Sequence, residues 1–177
     1  MNNSSTGLIH RSLQEDWPDV QLWNFARESA NVHSFRDDVG VVSDAYPDII
    51  TILPLDDYAS SSPSIWQTYY PSLLDQLGGM GAEVYIGSLR LDPDYTCHIA
   101  SGPAGCHSFG GYELVNEKNA ILLDIASSRP WVTIVPLSDD GPLHPEWTDT
   151  NDDLTDAGHE AIAEAFIRAI DGRLKLR

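Results

Sequence analysis

The sequence predicts an α/β fold, a three-layer α/β/α sandwich with a mainly parallel sheet, and three observations carry that expectation. Short apolar runs alternate with amphipathic segments of helical length. Three of the four runs are nearly continuous and β-branched, as in strands covered by helices on both faces. The connections between them are long enough for right-handed crossover helices, so consecutive strands run parallel. Residues 1–177 are expected to form a single domain with ample length for a core.

Taken in order, the chain opens with a helical segment at Ser5–Trp17, followed by a first strand candidate at Val20–Ala26 (VQLWNFA). A helix is expected at Ser34–Tyr46, then a second strand at Asp48–Leu55 (DIITILPL). Helix Ser64–Met80 leads to a third strand, Glu83–Leu91 (EVYIGSLRL). Trp66, Tyr69 and Tyr70 share that helix, and their spacing assigns them mostly to the core. The polar stretch Pro93–Gly111 reads as one long loop before helix Tyr112–Ser128 and the fourth strand, Trp131–Ser138 (WVTIVPLS). The last helix lies within Asp149–Ile170. Ile162, Ala165, Phe166, Ala169 and Ile170 recur there at spacings of three and four. Thr155 suits its N-cap, and Asp156 and Glu160 put negative charge near the positive end of its dipole.

Apolar residues make up 42% of the chain, ordinary for a globular protein. The formal charge of −17 and pI near 4.3 argue against nucleic acid or an anionic membrane as the main partner. They fit a neutral or cationic ligand, divalent cations, or a solvated acidic surface. Residues 1–14 (MNNSSTGLIHRSLQ) carry no apolar leader-like segment, and no run of about 18 apolar residues occurs. Cys97 and Cys106 flank a Gly/Pro/Ser/His loop, where a disulfide and two free thiols are both open. His98 and His107 each follow a cysteine, but the spacing matches no usual zinc pattern.

In open α/β sheets, ligands bind at the carboxyl ends of the strands. Four polar segments are expected to converge there: 2–7 ahead of the first helix, 24–30, Pro54–Asp57, and the long stretch 138–153. Their order and spacing resemble an SGNH (GDSL-type) serine hydrolase, a flavodoxin-like fold. NNSSTGL at 2–8 is similar to that family's Gly-Asp-Ser block, and NFARESA at 24–30 to its Asn-to-Gly block. The strand ending in PLDD at 54–57 resembles Gly-x-Asn-Asp, and LTDAGHEAIAEAF resembles the segment that comes directly after the family's Asp-x-x-His.

The resemblance implies Ser4 as nucleophile toward an ester carbonyl. Oxyanion donors would fall at the Ser29 backbone N–H and at position 56, and a base at 153 oriented by Thr150 or Asp149. Here the oxyanion asparagine is Asp56 and the base histidine is Asp153. A carboxylate at 56 repels the oxyanion, and losing one such donor costs on the order of 3–4 kcal/mol. An aspartate is too weak a base to activate a serine hydroxyl at neutral pH. Only Met1, Asn2 and Asn3 precede Ser4, so these residues supply no strand ahead of it.

Two histidines offer a displaced base. Asp156 and His159 satisfy Asp-x-x-His literally, although they fall in the first helical turn, where a histidine satisfied by a backbone group is the plainer expectation. His144 sits in a loop with Asp140 four residues before it. His10 and His33 read as surface or helix residues. The acids also allow a different chemistry: Asp149, Asn151, Asp153, Thr155 and Glu160 occupy positions 1, 3, 5, 7 and 12 of a calcium-loop pattern. Its sixth position, which needs glycine for the sharp turn, is Leu154. A looser divalent-cation site using Asp56, Asp57 and Asp153 is the other metal option, and solvated loop aspartates need no metal or cofactor at all. Trp147 and Tyr58, in loops near the expected cleft, suit stacking on a sugar or an acyl chain, or anchoring their loops.

These features fit two functions. The first is a domain resembling small-ester serine esterases, acting on an acyl, acetyl or carbohydrate ester, with its catalysis impaired or lost as in a pseudoenzyme. The second is a non-catalytic binding or assembly module on the same fold, with Ca2+ in the acidic cleft as an option. Base and oxyanion side chain are altered together, which weighs toward lost catalysis.

Overall fold

The computed structural model describes residues 4–26, 30–54, 61–88, 111–137 and 155–174. Among them the elements are α1 (Ser5–Asp16), α2 (Val32–Asp44), β1 (Ile49–Ile52), α3 (Pro63–Gly79), β2 (Glu83–Ser88), α4 (Gly111–Ser127), β3 (Val132–Pro136) and α5 (Asp156–Leu174). The three strands form one parallel sheet in the order β1-β2-β3. Ile49 faces Glu83 and Ile52 faces Ile86 in one ladder, while Val84 faces Val132 and Ser88 faces Pro136 in the other. The layered α/β expectation holds.

Local chemistry sets the helix ends. Ser4 caps α1, its Oγ accepting from Gly7 N–H at 3.4 Å. Asn31 caps α2 by accepting from both His33 and Ser34 N–H. Pro63 opens α3, where its missing N–H has no intrahelical acceptor to lose. Gly81, with φ of 84°, supplies the left-handed turn between α3 and β2. Thr155 caps α5 as expected, Oγ1 accepting from Gly158 N–H at 3.2 Å.

Helices α2, α3 and α4 pack side by side, and α1 packs along α5; α3 and α5 both reach β2. The core between them holds Trp66, Tyr70, Leu73 and Leu74 of α3, Val84 and Ile86 of β2, Leu122 of α4, and Phe166 and Ile170 of α5. Tyr69, on the same helix as Trp66 and Tyr70, is only partly buried. Strand β2 is buried along Val84–Gly87, which explains why its sequence is an unbroken apolar run.

One expected element is corrected. Val20–Ala26 forms no strand; it has no regular structure, and Leu22, Trp23 and Phe25 are 43%, 51% and 38% exposed. Apolar content alone does not make a strand. A ladder partner is required, and here β1 pairs with β2 alone among the described residues. The loop Pro93–Gly111 lies outside the described residues apart from Gly111, which opens α4.

Candidate active site

The N-termini of α1 and α5 meet. Both helices present first-turn N–H groups and the positive ends of their dipoles at this point. Gly158, in the first turn of α5, is buried there. One turn into α5, His159 turns its ring onto α1. Its Nδ1 accepts the Ser5 backbone N–H at 3.1 Å and lies 2.8 Å from Ser5 Oγ. Because a backbone N–H can only donate, Nδ1 carries the lone pair, and in the neutral ring the proton sits on Nε2. The imidazole thereby satisfies one of the orphan donors of α1.

Ser4, Ser5, Thr6 and His159 line a cavity of about 1150 Å³, whose remaining walls are mostly apolar. Ser5 is buried and Ser4 half-buried. The second imidazole on the cavity, His10, has its Nε2 3.1 Å from the Val20 carbonyl, tying α1 to the irregular run after it. Asp156 is exposed, and no hydrogen bond or ion pair among the described residues joins it to His159. His33 does not line the cavity; its ring stands edge-on to Tyr69 on α3 at 4.5 Å between centroids.

Of the residues singled out in the sequence, the structure brings Ser4 and His159 to the same helix junction, with Ser5 between them as the actual partner of the imidazole. Ser29, Asp56, His144, Asp149, Asn151 and Asp153 lie outside the described residues, as do Tyr58, Trp147 and both cysteines. No cluster of three or more His, Cys, Asp or Glu side chains suited to a metal occurs among the described residues. No described helix is long and apolar enough to cross a membrane. The sequence alone does not single out Ser5. Its only local signal is its place directly after an N-cap serine, where a first-turn N–H always needs an acceptor.

No protein-family model matches the sequence, and no curated protein matches it significantly. Solved structures do resemble it. An acetyl xylan esterase, AlAXEase, superposes with a TM-score of 0.74 at 12% identity, over 95% of this chain and 91% of that one. The psychrotrophic esterase EstA from Pseudoalteromonas sp. gives 0.72 at 12% identity, over 98% and 88%. TesA gives 0.70 at 14% identity, over 92% and 84%. At these identities the likeness speaks for the fold.

Proposed function

Because the chain has the fold of the SGNH-type esterases, we propose that it is an ester-binding domain of that hydrolase type, with its hydrolytic step strongly impaired. The ligands in this reading are small acyl or acetyl esters, including acetylated carbohydrate, the class suggested by the names of the similar structures.

A single observation carries the reading: the acceptor nitrogen of the imidazole takes the Ser5 backbone N–H and faces Ser5 Oγ, not Ser4, the serine the resemblance implies as nucleophile. A general base needs that lone pair within reach of the nucleophile's proton. Ser4 Oγ, for its part, caps its own helix. The acids at 56 and 153 support the same conclusion from the sequence. Loss of a general base costs roughly 10²–10⁴ in rate, and loss of one oxyanion donor roughly 10²–10³. Together they leave turnover on the order of 10⁴-fold or more below an intact site.

The test pairs binding with chemistry. Acetylated xylose titrated calorimetrically is expected to bind saturably, while p-nitrophenyl acetate is hydrolysed little faster than in buffer and a fluorophosphonate probe leaves Ser4 unlabelled. Rapid turnover that disappears in Ser4→Ala overturns the impairment, and absence of any ester binding overturns the ligand class.

A further inference from the structure

Where α2 packs on α3, three polar side chains gather: His33 and Arg36 of α2 and Tyr69 of α3. None of them lines the cavity of the serine–histidine junction. His33 and Arg36 are three residues apart, so they share one face of their helix. Both close on the same phenol ring. The Arg36 guanidinium stands over it with Cζ 4.9 Å from the centroid, and the His33 imidazole meets it edge-on.

Arg36 is held in place without an acid. Arg129 pairs with Asp75, Arg168 with Glu164 and Arg173 with Glu83, whereas Arg36 has no ion pair among the described residues. Its Nε–H is buried and has no hydrogen-bond acceptor. Leaving a buried donor unsatisfied is costly, and native structures do so rarely. Stacking on Tyr69 fixes the guanidinium plane but takes none of its N–H groups. Its sequence neighbours do not supply the acceptor either: Asp37 is exposed, and Asp38 lines the cavity. Arg36 as a whole is half-buried, so its fork still meets solvent, and His33 beside it is exposed.

The cluster lies at an informative place in the fold. Only residues 45–48 separate α2 from β1, so α2 ends at the amino end of the sheet and starts at the carboxyl end. Open α/β sheets bind their ligands at the carboxyl end, and His33 and Arg36 fall in the first turns of the helix.

We propose that His33, Arg36 and Tyr69 form a binding site for the carboxylate of a small ligand. The guanidinium fork offers two parallel N–H donors, which match the two oxygens of a carboxylate. Tyr69 is the platform that orients the fork, and the imidazole N–H is a further donor beside it. A carboxylate suits these surroundings better than a phosphate dianion or a polyanion. The chain carries −17 and exposed Asp37 adjoins the site, so each further negative charge on the ligand is repelled. The site does not depend on ester binding or hydrolysis.

The test titrates the full chain with sodium acetate at an ionic strength held constant with sodium chloride, read by the nuclear magnetic resonance signals of Arg36 Nε–H and the His33 ring. Acetate is expected to shift both saturably, and its neutral isostere acetamide to shift neither. Arg36→Gln is expected to weaken acetate at least tenfold, read on the His33 ring, with circular dichroism unchanged. Should that variant not fold, His33→Phe keeps an aromatic edge on Tyr69 at an exposed position. It is expected to weaken acetate at least threefold, read on Arg36 Nε–H. Absence of saturable acetate shifts, equal shifts with acetamide, unchanged affinity in the folded variants, or tighter binding of inorganic phosphate than of acetate each overturns the proposal.

Discussion

His159 Nδ1 holds the backbone N–H of Ser5, 154 residues away in sequence, at 3.1 Å, with Ser5 Oγ 2.8 Å from the same nitrogen. One side chain thereby fastens the starts of α1 and α5, two helices that pack along each other. Replacing it with phenylalanine keeps the bulk and strands a buried donor. His159→Phe is expected to lower stability by about 1–3 kcal/mol. Urea unfolding measures this, with His159→Gln recovering part of the loss if its amide oxygen reaches Ser5.

Gly78 and Gly79 end the same helix but answer differently to a methyl group. A Cβ at Gly78 would collide with the indole of Trp131, whose Nε1–H donates to the Leu74 carbonyl at 3.2 Å. A Cβ at Gly79 meets nothing within 4 Å. Gly78→Ala is expected to destabilise by about 1–3 kcal/mol through overpacking, and Gly79→Ala to stabilise by about 0.4–1 kcal/mol through a less flexible unfolded chain. Parallel thermal melts of the two variants check the contrast.

Arg173 closes the opposite end of α5. Its Nε stands 2.7 Å from Glu83 Oε2, its Nη1 donates to Thr133 Oγ1 at 3.0 Å, and its Nη2 donates to the Pro130 carbonyl. These contacts anchor the helix to the starts of β2 and β3. A lysine offers charge without the fork, so Arg173→Lys is expected to cost about 1–3 kcal/mol. Amide exchange should quicken first in the last turns of α5.

The fold was largely legible because its strongest signals are local. Helix α5 announces itself through the cap at Thr155 and the spacing of Ile162, Phe166 and Ile170, and β2 through an apolar run that only burial on both faces explains. Val20–Ala26 misled because its composition is strand-like while pairing is a property of two segments, and β1 leaves this one without a ladder. The candidate site was legible only in part. The sequence placed Ser4 and His159 at helix starts, where they stand. That the imidazole meets Ser5 and not Ser4 depends on how α1 slides along α5, which no local pattern encodes.

The most direct measurement of the central claim, an esterase fold with its chemistry impaired, restores the altered positions and reads hydrolysis. Wild type and the variant Asp56→Asn/Thr150→Asp/Asp153→His are compared on p-nitrophenyl acetate, each with and without Ser4→Ala. The account predicts near-background turnover in wild type and a gain of at least about 10²-fold in the restored variant, lost with Ser4→Ala. Fast Ser4-dependent hydrolysis by wild type, or no gain in a folded restored variant, would contradict it.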